Sequence, residues 1–135
     1  MNNKIEEKYV SFNVAKLLAD KGFDVITKRA YNSIGIPLDF STRNSEPPYM
    51  SCPTQSVVID WIEENFKIYV ESFIDDDQTF GSCICKYTDE GRHQYPLLRG
   101  YKTRAEAINE GLLYTLTNLI WKLIWKKNLH HTQML

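Results

Sequence analysis

Phe66-Lys67-Ile68-Tyr69-Val70-Glu71-Ser72-Phe73-Ile74 repeats with a period of two, which sets Ile68 and Val70 on one face and Tyr69, Glu71 and Phe73 on the other. That period belongs to a strand. Asp75-Asp76-Asp77-Gln78 follows with turn chemistry and Thr79 to Thr88 resumes strand composition, so the two stretches are expected to pair as an antiparallel hairpin over residues 67–88. A two-stranded hairpin is marginal alone in water and needs helices against one of its faces.

The flanking sequence supplies those helices. Before the hairpin, Thr54 follows Pro53 as an N-cap and opens a helix at residues 55–65 whose Val57, Val58, Trp61 and Ile62 form one stripe. After it, Thr103-Arg104-Ala105-Glu106 reads as a capping box, in which the threonine and the glutamate each satisfy a backbone donor. The helix it opens is expected over residues 104–126, with Ala105, Ile108, Leu112, Leu116, Leu119 and Leu123 facing inward. Nearer the start, Ser11 caps a helix at residues 12–21 carrying Phe12, Ala15, Leu18 and Ala19, and Gly22-Phe23 ends it with a left-handed residue and an apolar follow-on. The expected fold class is α+β, a small antiparallel sheet packed against three helices in one domain.

Other stretches give weaker signals. Residues 24–34 alternate loosely through Val25, Ile26, Thr27 and Tyr31, a faint strand pattern. Residues 35–53 hold Pro37, Pro47, Pro48 and Pro53 and read as a long loop or an edge hairpin. Residues 1–8 are expected to be a flexible N-terminus, and Glu90-Gly91-Arg92-His93 a polar loop. No repeat or heptad run occurs.

The 135 residues include 16 Lys plus Arg against 17 Asp plus Glu, so no global field draws the chain toward nucleic acid or a membrane. Met1 to Glu7 lacks the apolar core of a secretory leader, and Leu119 to Trp125 is interrupted by Lys122 and is too short to span a bilayer. Three cysteines read as reduced thiols, and a cytoplasmic location is expected.

Cys83 and Cys85 share a strand face, and Cys52, His93, His130 and His131 are the other soft donors from which a zinc shell would be assembled. Their spacing fits two small apolar residues better than a zinc knuckle, so no metal or other cofactor is expected. A cysteine nucleophile at position 83 or 85 would need His93 with Asp89 or Glu90 as its base. No phosphate loop, nucleophile elbow or dinucleotide glycine pattern is present, and no catalytic residue is assigned. Asp75, Asp76 and Asp77 lack the glycine and distal glutamate of a calcium loop. The segment with Tyr49 and Met50 is either a recognition surface or ordinary loop packing.

The last helix carries a second stripe, Tyr114, Trp121 and Trp125, which either packs on the first helix or forms an interface with a partner or a second copy. Lys122, Lys126 and Lys127 lie beside the tryptophans; they complement the helix dipole, or contact phosphates of a nucleic acid.

Val10-Ser11-Phe12 with Val14-Ala15-Lys16-Leu17-Leu18 and Lys21-Gly22-Phe23, Pro53-Thr54-Gln55 with Trp61-Ile62, and Tyr101-Lys102-Thr103 with Glu106-Ala107 and Gly111-Leu112 resemble small uncharacterised proteins of bacterial phages and prophages. The order helix, hairpin, long helix over residues 54–126 is more faintly similar to phage α-β-α sandwich proteins. Both resemblances rest on capping and packing positions, so they imply a fold and a mobile-element context but no reaction. The expected function is a non-enzymatic accessory protein that binds a protein partner or itself, with nucleic-acid binding as the alternative.

Overall fold

The computed structural model describes residues 7–120. Its elements in chain order are α1 (Phe12–Asp20), β1 (Ala30–Tyr31), β2 (Pro37–Leu38), β3 (Met50–Ser51), α2 (Gln55–Phe66), β4 (Ile68–Ile74), β5 (Phe80–Thr88), β6 (Gly91–Gln94), β7 (Leu98–Tyr101) and α3 (Arg104–Tyr114), which continues as a π-helical segment at Thr115–Ile120. This is an α+β architecture. Among the described residues no helix is long and apolar enough to cross a membrane.

The hairpin β4–β5 forms in the expected place, with Ile68 opposite Lys86 and Ile74 opposite Phe80. Its turn is closed by Asp77, whose carboxylate accepts from the Thr79 backbone N–H and hydroxyl, while Gln78 takes a left-handed φ of 66°. Strand β5 is longer than β4, and its far edge carries two further strands. β6 pairs along the C-terminal half of β5, so Arg92 and His93 belong to a strand and not to a polar loop. β7 pairs along the N-terminal half, with an irregularity between Phe80 and Ser82. Gly100, at φ 91°, supplies the backbone conformation such a bulge requires.

All three predicted caps form. Ser11 Oγ accepts from Val14 N–H, Thr54 Oγ1 from Val57 N–H, and Thr103 Oγ1 from Glu106 N–H. The Glu106 carboxylate reaches back one residue before the cap, to the Lys102 N–H. Helix α1 ends as the sequence indicates, with Gly22 at φ 88° and Phe23 N–H donating to the Leu18 carbonyl. Helix α2 ends at Lys67, a left-handed residue that turns the chain directly into β4.

One face of the sheet meets the helices. Ile68 and Val70 of β4 and Ile84 of β5 point inward to Val14, Leu18, Val58, Ile62, Leu112 and Leu116. The inner face of α3 keeps Ile108, Leu112 and Leu116 of the expected stripe and adds small residues to it. Ala107, Gly111 and Thr115 are buried beside Ile108, Leu112 and Leu116, while Ala105 and Leu119 are half-buried and Ile120 is fully buried. Small residues face the sheet because α3 lies close to it: a Cβ on Gly111 would come within 2.8 Å of Ser82 Oγ. The π-helical turn, with its wider repeat, carries the buried face from Leu116 to Ile120. The remainder of the expected helix, residues 121–126, lies outside the described residues.

Ser82 Oγ is buried under this contact with no hydrogen-bond partner among the described residues. A buried hydroxyl without a partner is destabilising, so Ser82→Ala should raise stability by about 1 kcal/mol. Urea denaturation would show this as a higher midpoint with an unchanged slope; a lower midpoint would mean that the hydroxyl is satisfied.

In the second sheet, ordered β2-β1-β3, β1 falls within the faint strand pattern of residues 24–34, and β2 and β3 within the segment expected to be a loop or an edge hairpin. Its strands are two residues each, too short for any period to register. Lys8 is tied to α2 through its carbonyl, which accepts from Gln55 N–H at 2.7 Å, so the expected flexible N-terminus does not extend to it.

Candidate functional site

Residues 24–51 are held by side chains hydrogen-bonding to backbone. Asn44 donates to the Phe23 carbonyl at 2.7 Å and accepts from Ser51 N–H at 2.9 Å. Asp24 accepts from Arg43 at 3.0 Å and from Ser45 N–H at 2.8 Å, and these bonds, the arginine's first, hold its carboxyl below the usual range. Asn32 accepts from the N–H groups of Ile34 and Ile36, and Gly35, at φ 86°, lies against the Phe12 ring. The Tyr31 hydroxyl donates to the Val10 carbonyl at 2.7 Å, which pins β1 to the start of α1.

Several large apolar side chains of this segment are exposed. Ile34 is 74% exposed and Ile26 66%, and Val25, Ile36, Phe40 and Tyr49 are exposed as well. Phe40 and Tyr49 meet edge to face at 4.7 Å. Sequence reading had pointed to Tyr49 and Met50; Met50 instead is half-buried against the core.

A second cluster lies on the face of the four-stranded sheet away from the helices. Tyr69, Glu71, Cys83, Cys85, Tyr87 and Arg92 line a depression of about 360 Å³. The Cys83 and Cys85 sulfurs are 3.8 Å apart, and an Arg92 Nη2 donates to Cys85 Sγ at 3.0 Å. Tyr69 and Tyr87 meet edge to face at 5.2 Å. Burial, and then the neighbouring Cys85, pushes the Cys83 thiol up. Cys85 is buried, as the spacing suggested, and Cys83 is half-buried, but both lie on the outer face, because Ser82 and Ile84 take the inward positions of β5.

The other sequence candidates are dispersed. His93 pairs with Lys86, a register that puts it on the opposite face from both thiols, and its ring packs on Tyr95 at 4.7 Å. It is not placed to act as their base. Cys52 is fully buried beside Tyr31, and burial pushes its thiol up. Among the described residues no group of three or more His, Cys, Asp or Glu side chains is gathered as a metal shell. In the acidic turn, Asp75 accepts two bonds from the Arg99 guanidinium, the Nη2 bond at 2.6 Å.

Tyr114 is half-buried and packs against the core. Trp121 and Trp125, the other members of its proposed interface, and the basic Lys122, Lys126 and Lys127 lie outside the described residues, as do His130 and His131. Arg92 was missed at the sequence level because it reads as part of a loop; only the hairpin register with β5 brings it to Cys85. In comparisons with protein-family models, curated proteins and solved structures, the chain matches none of them.

Proposed function

We propose that this chain is a non-enzymatic interaction protein that binds a protein partner through the exposed aliphatic and aromatic side chains of residues 25–49. The observation that carries this reading is the contrast within the segment. Its backbone is fixed by Asp24, Asn32 and Asn44, so little conformational freedom is lost on binding, while Ile26, Ile34, Ile36 and Phe40 present apolar area to solvent. Apolar anchors on a pre-ordered frame are what a partner's pocket can bury with gain. A phage or prophage accessory role is part of the same proposal and draws on the resemblance of the capping and packing positions.

Paired Ile34→Glu and Ile36→Glu substitutions test it. Both side chains are exposed, so the variant should unfold at the same urea midpoint as the parent. It should lose the partner recovered by crosslinking and affinity capture from the host cell, or lose the concentration-dependent mass seen by light scattering if the partner is a second copy. Capture and mass unchanged from the parent would overturn the proposal.

A further inference from the structure

We propose that Cys83 and Cys85 form a bidentate thiolate site for a thiophilic divalent cation of the zinc and cadmium class, open on the outer face of the sheet. The separation of the sulfurs carries the argument. Two thiolates each about 2.3 Å from one tetrahedral ion lie roughly 3.8 Å apart, and the Cys83 and Cys85 sulfurs are 3.8 Å apart. The side chains are already turned toward each other at the spacing of two vertices of such a shell.

The same geometry resists the competing fate of a thiol pair. Alternate residues of one strand have Cα atoms about 6.6 Å apart. That is at the upper end of the range, roughly 4.4–6.8 Å, in which a disulfide closes. The ladder bonds from β4 and β6 on either side of β5 keep Cys85 in that extended register. An ion can bridge the sulfurs where they stand, whereas a disulfide would close only at the edge of its permitted separation.

The surrounding charges favour a divalent ion. Arg92 donates to Cys85 Sγ, and Glu71 lies directly across from Cys83 in the ladder and lines the same depression. Two thiolates, Glu71 and Arg92 sum to a charge of about −2 on their formal ionisation, which a divalent cation neutralises. Among the described residues no group of three or more His, Cys, Asp or Glu side chains is gathered as a shell, so Glu71 stands beside the pair without completing one and the ion keeps positions for water or an exogenous ligand. The depression has the volume for an ion with its remaining waters, but its walls of Tyr69, Tyr87 and Arg92 leave Cys85 only 6% exposed. Loading replaces two S–H protons by two metal–sulfur bonds and releases both protons to solvent, with no change of oxidation state.

This site shares no residue with the apolar surface of residues 25–49, so either proposal stands if the other fails. The test is titration of the reduced full-length protein with Cd²⁺, read by the thiolate-to-metal charge-transfer band in the ultraviolet, followed by Zn²⁺ displacement. The band should saturate at one ion per chain in the parent, in Cys52→Ser and in a His130→Ala, His131→Ala variant, and Zn²⁺ should remove it one for one. Cys83→Ser and Cys85→Ser, both on the outer face and expected to fold with unchanged circular dichroism, should each lose stoichiometric binding. Absence of the band in the parent, its survival in both serine variants, or its loss in Cys52→Ser would overturn the assignment.

Discussion

Gly81→Val should destabilise the protein by about 3 kcal/mol, at the upper end of what overpacking costs. A Cβ at position 81 would overlap the Leu98 carbonyl oxygen and the Phe73 ring at once. The ring is a partly exposed side chain and can swing away. The carbonyl belongs to β7, at the irregularity where that strand joins β5, and it can retreat only by giving up the pairing. Urea denaturation should show a lower midpoint, and hydrogen exchange should show lost protection in β7 before the rest of the sheet. Adding Phe73→Ala separates the two obstacles: the double variant should stay close to the single one in stability. Full rescue would mean that the ring, and not the approach of β7, fixes glycine at this position.

The same join shows where sequence reading stops. The β4–β5 hairpin was legible because Ile68 and Val70 alternate with Tyr69, Glu71 and Phe73, and burial on one face enforces that alternation. In β6, Gly91-Arg92-His93-Gln94 is exposed at every position, so no periodic signal exists; it is a strand because β5 is long enough to template it. In β7, Gly100 and the bulge interrupt the period within four residues. The three two-residue strands of the second sheet depend on contacts between residues far apart in sequence, such as Ala30 with Ser51. Helix starts were legible because an N-cap is a local event, settled by Ser11, Thr54 and Thr103 within three residues. On the inner face of α3, Ile108, Leu112 and Leu116 were legible; Gly111 was not, because it faces the sheet for reasons of distance, while a reading by hydrophobicity prefers leucines.

The candidate sites follow the same division. That Cys83 and Cys85 share a face follows from the strand period alone. Which face they share depends on how β5 packs, and the partner Arg92 depends on the β5–β6 register. The exposed aliphatics of residues 25–49 carry no mark in the sequence, since Ile34 and Ile36 look like core residues until the Asn32 turn directs them outward. The stripe of Tyr114, Trp121 and Trp125 is described only at Tyr114, which is half-buried against the core.

Phe23→Ala should cost about 3–5 kcal/mol, the usual range for emptying a fully buried aromatic site. Phe23 has no exposed surface, and its ring meets Trp61 of α2 edge to face at 5.3 Å. Its backbone does two more things: the N–H closes the end of α1 on Leu18, and the carbonyl accepts from Asn44, the side chain that also holds Ser51. One residue thus joins α1, α2 and the frame of the apolar surface. A domain of this size is stable by roughly 5–15 kcal/mol, so the variant should be partly unfolded or melt well below the parent in calorimetry. Phe23→Leu, which keeps most of the volume, should lose much less. If the surface at residues 25–49 is the binding site, Phe23→Leu should also retain the partner, because the Asn44 bond goes to the backbone and survives the substitution. Loss of the partner in a Phe23→Leu protein that still melts near the parent would place the binding surface around the Phe23 and Trp61 rings instead.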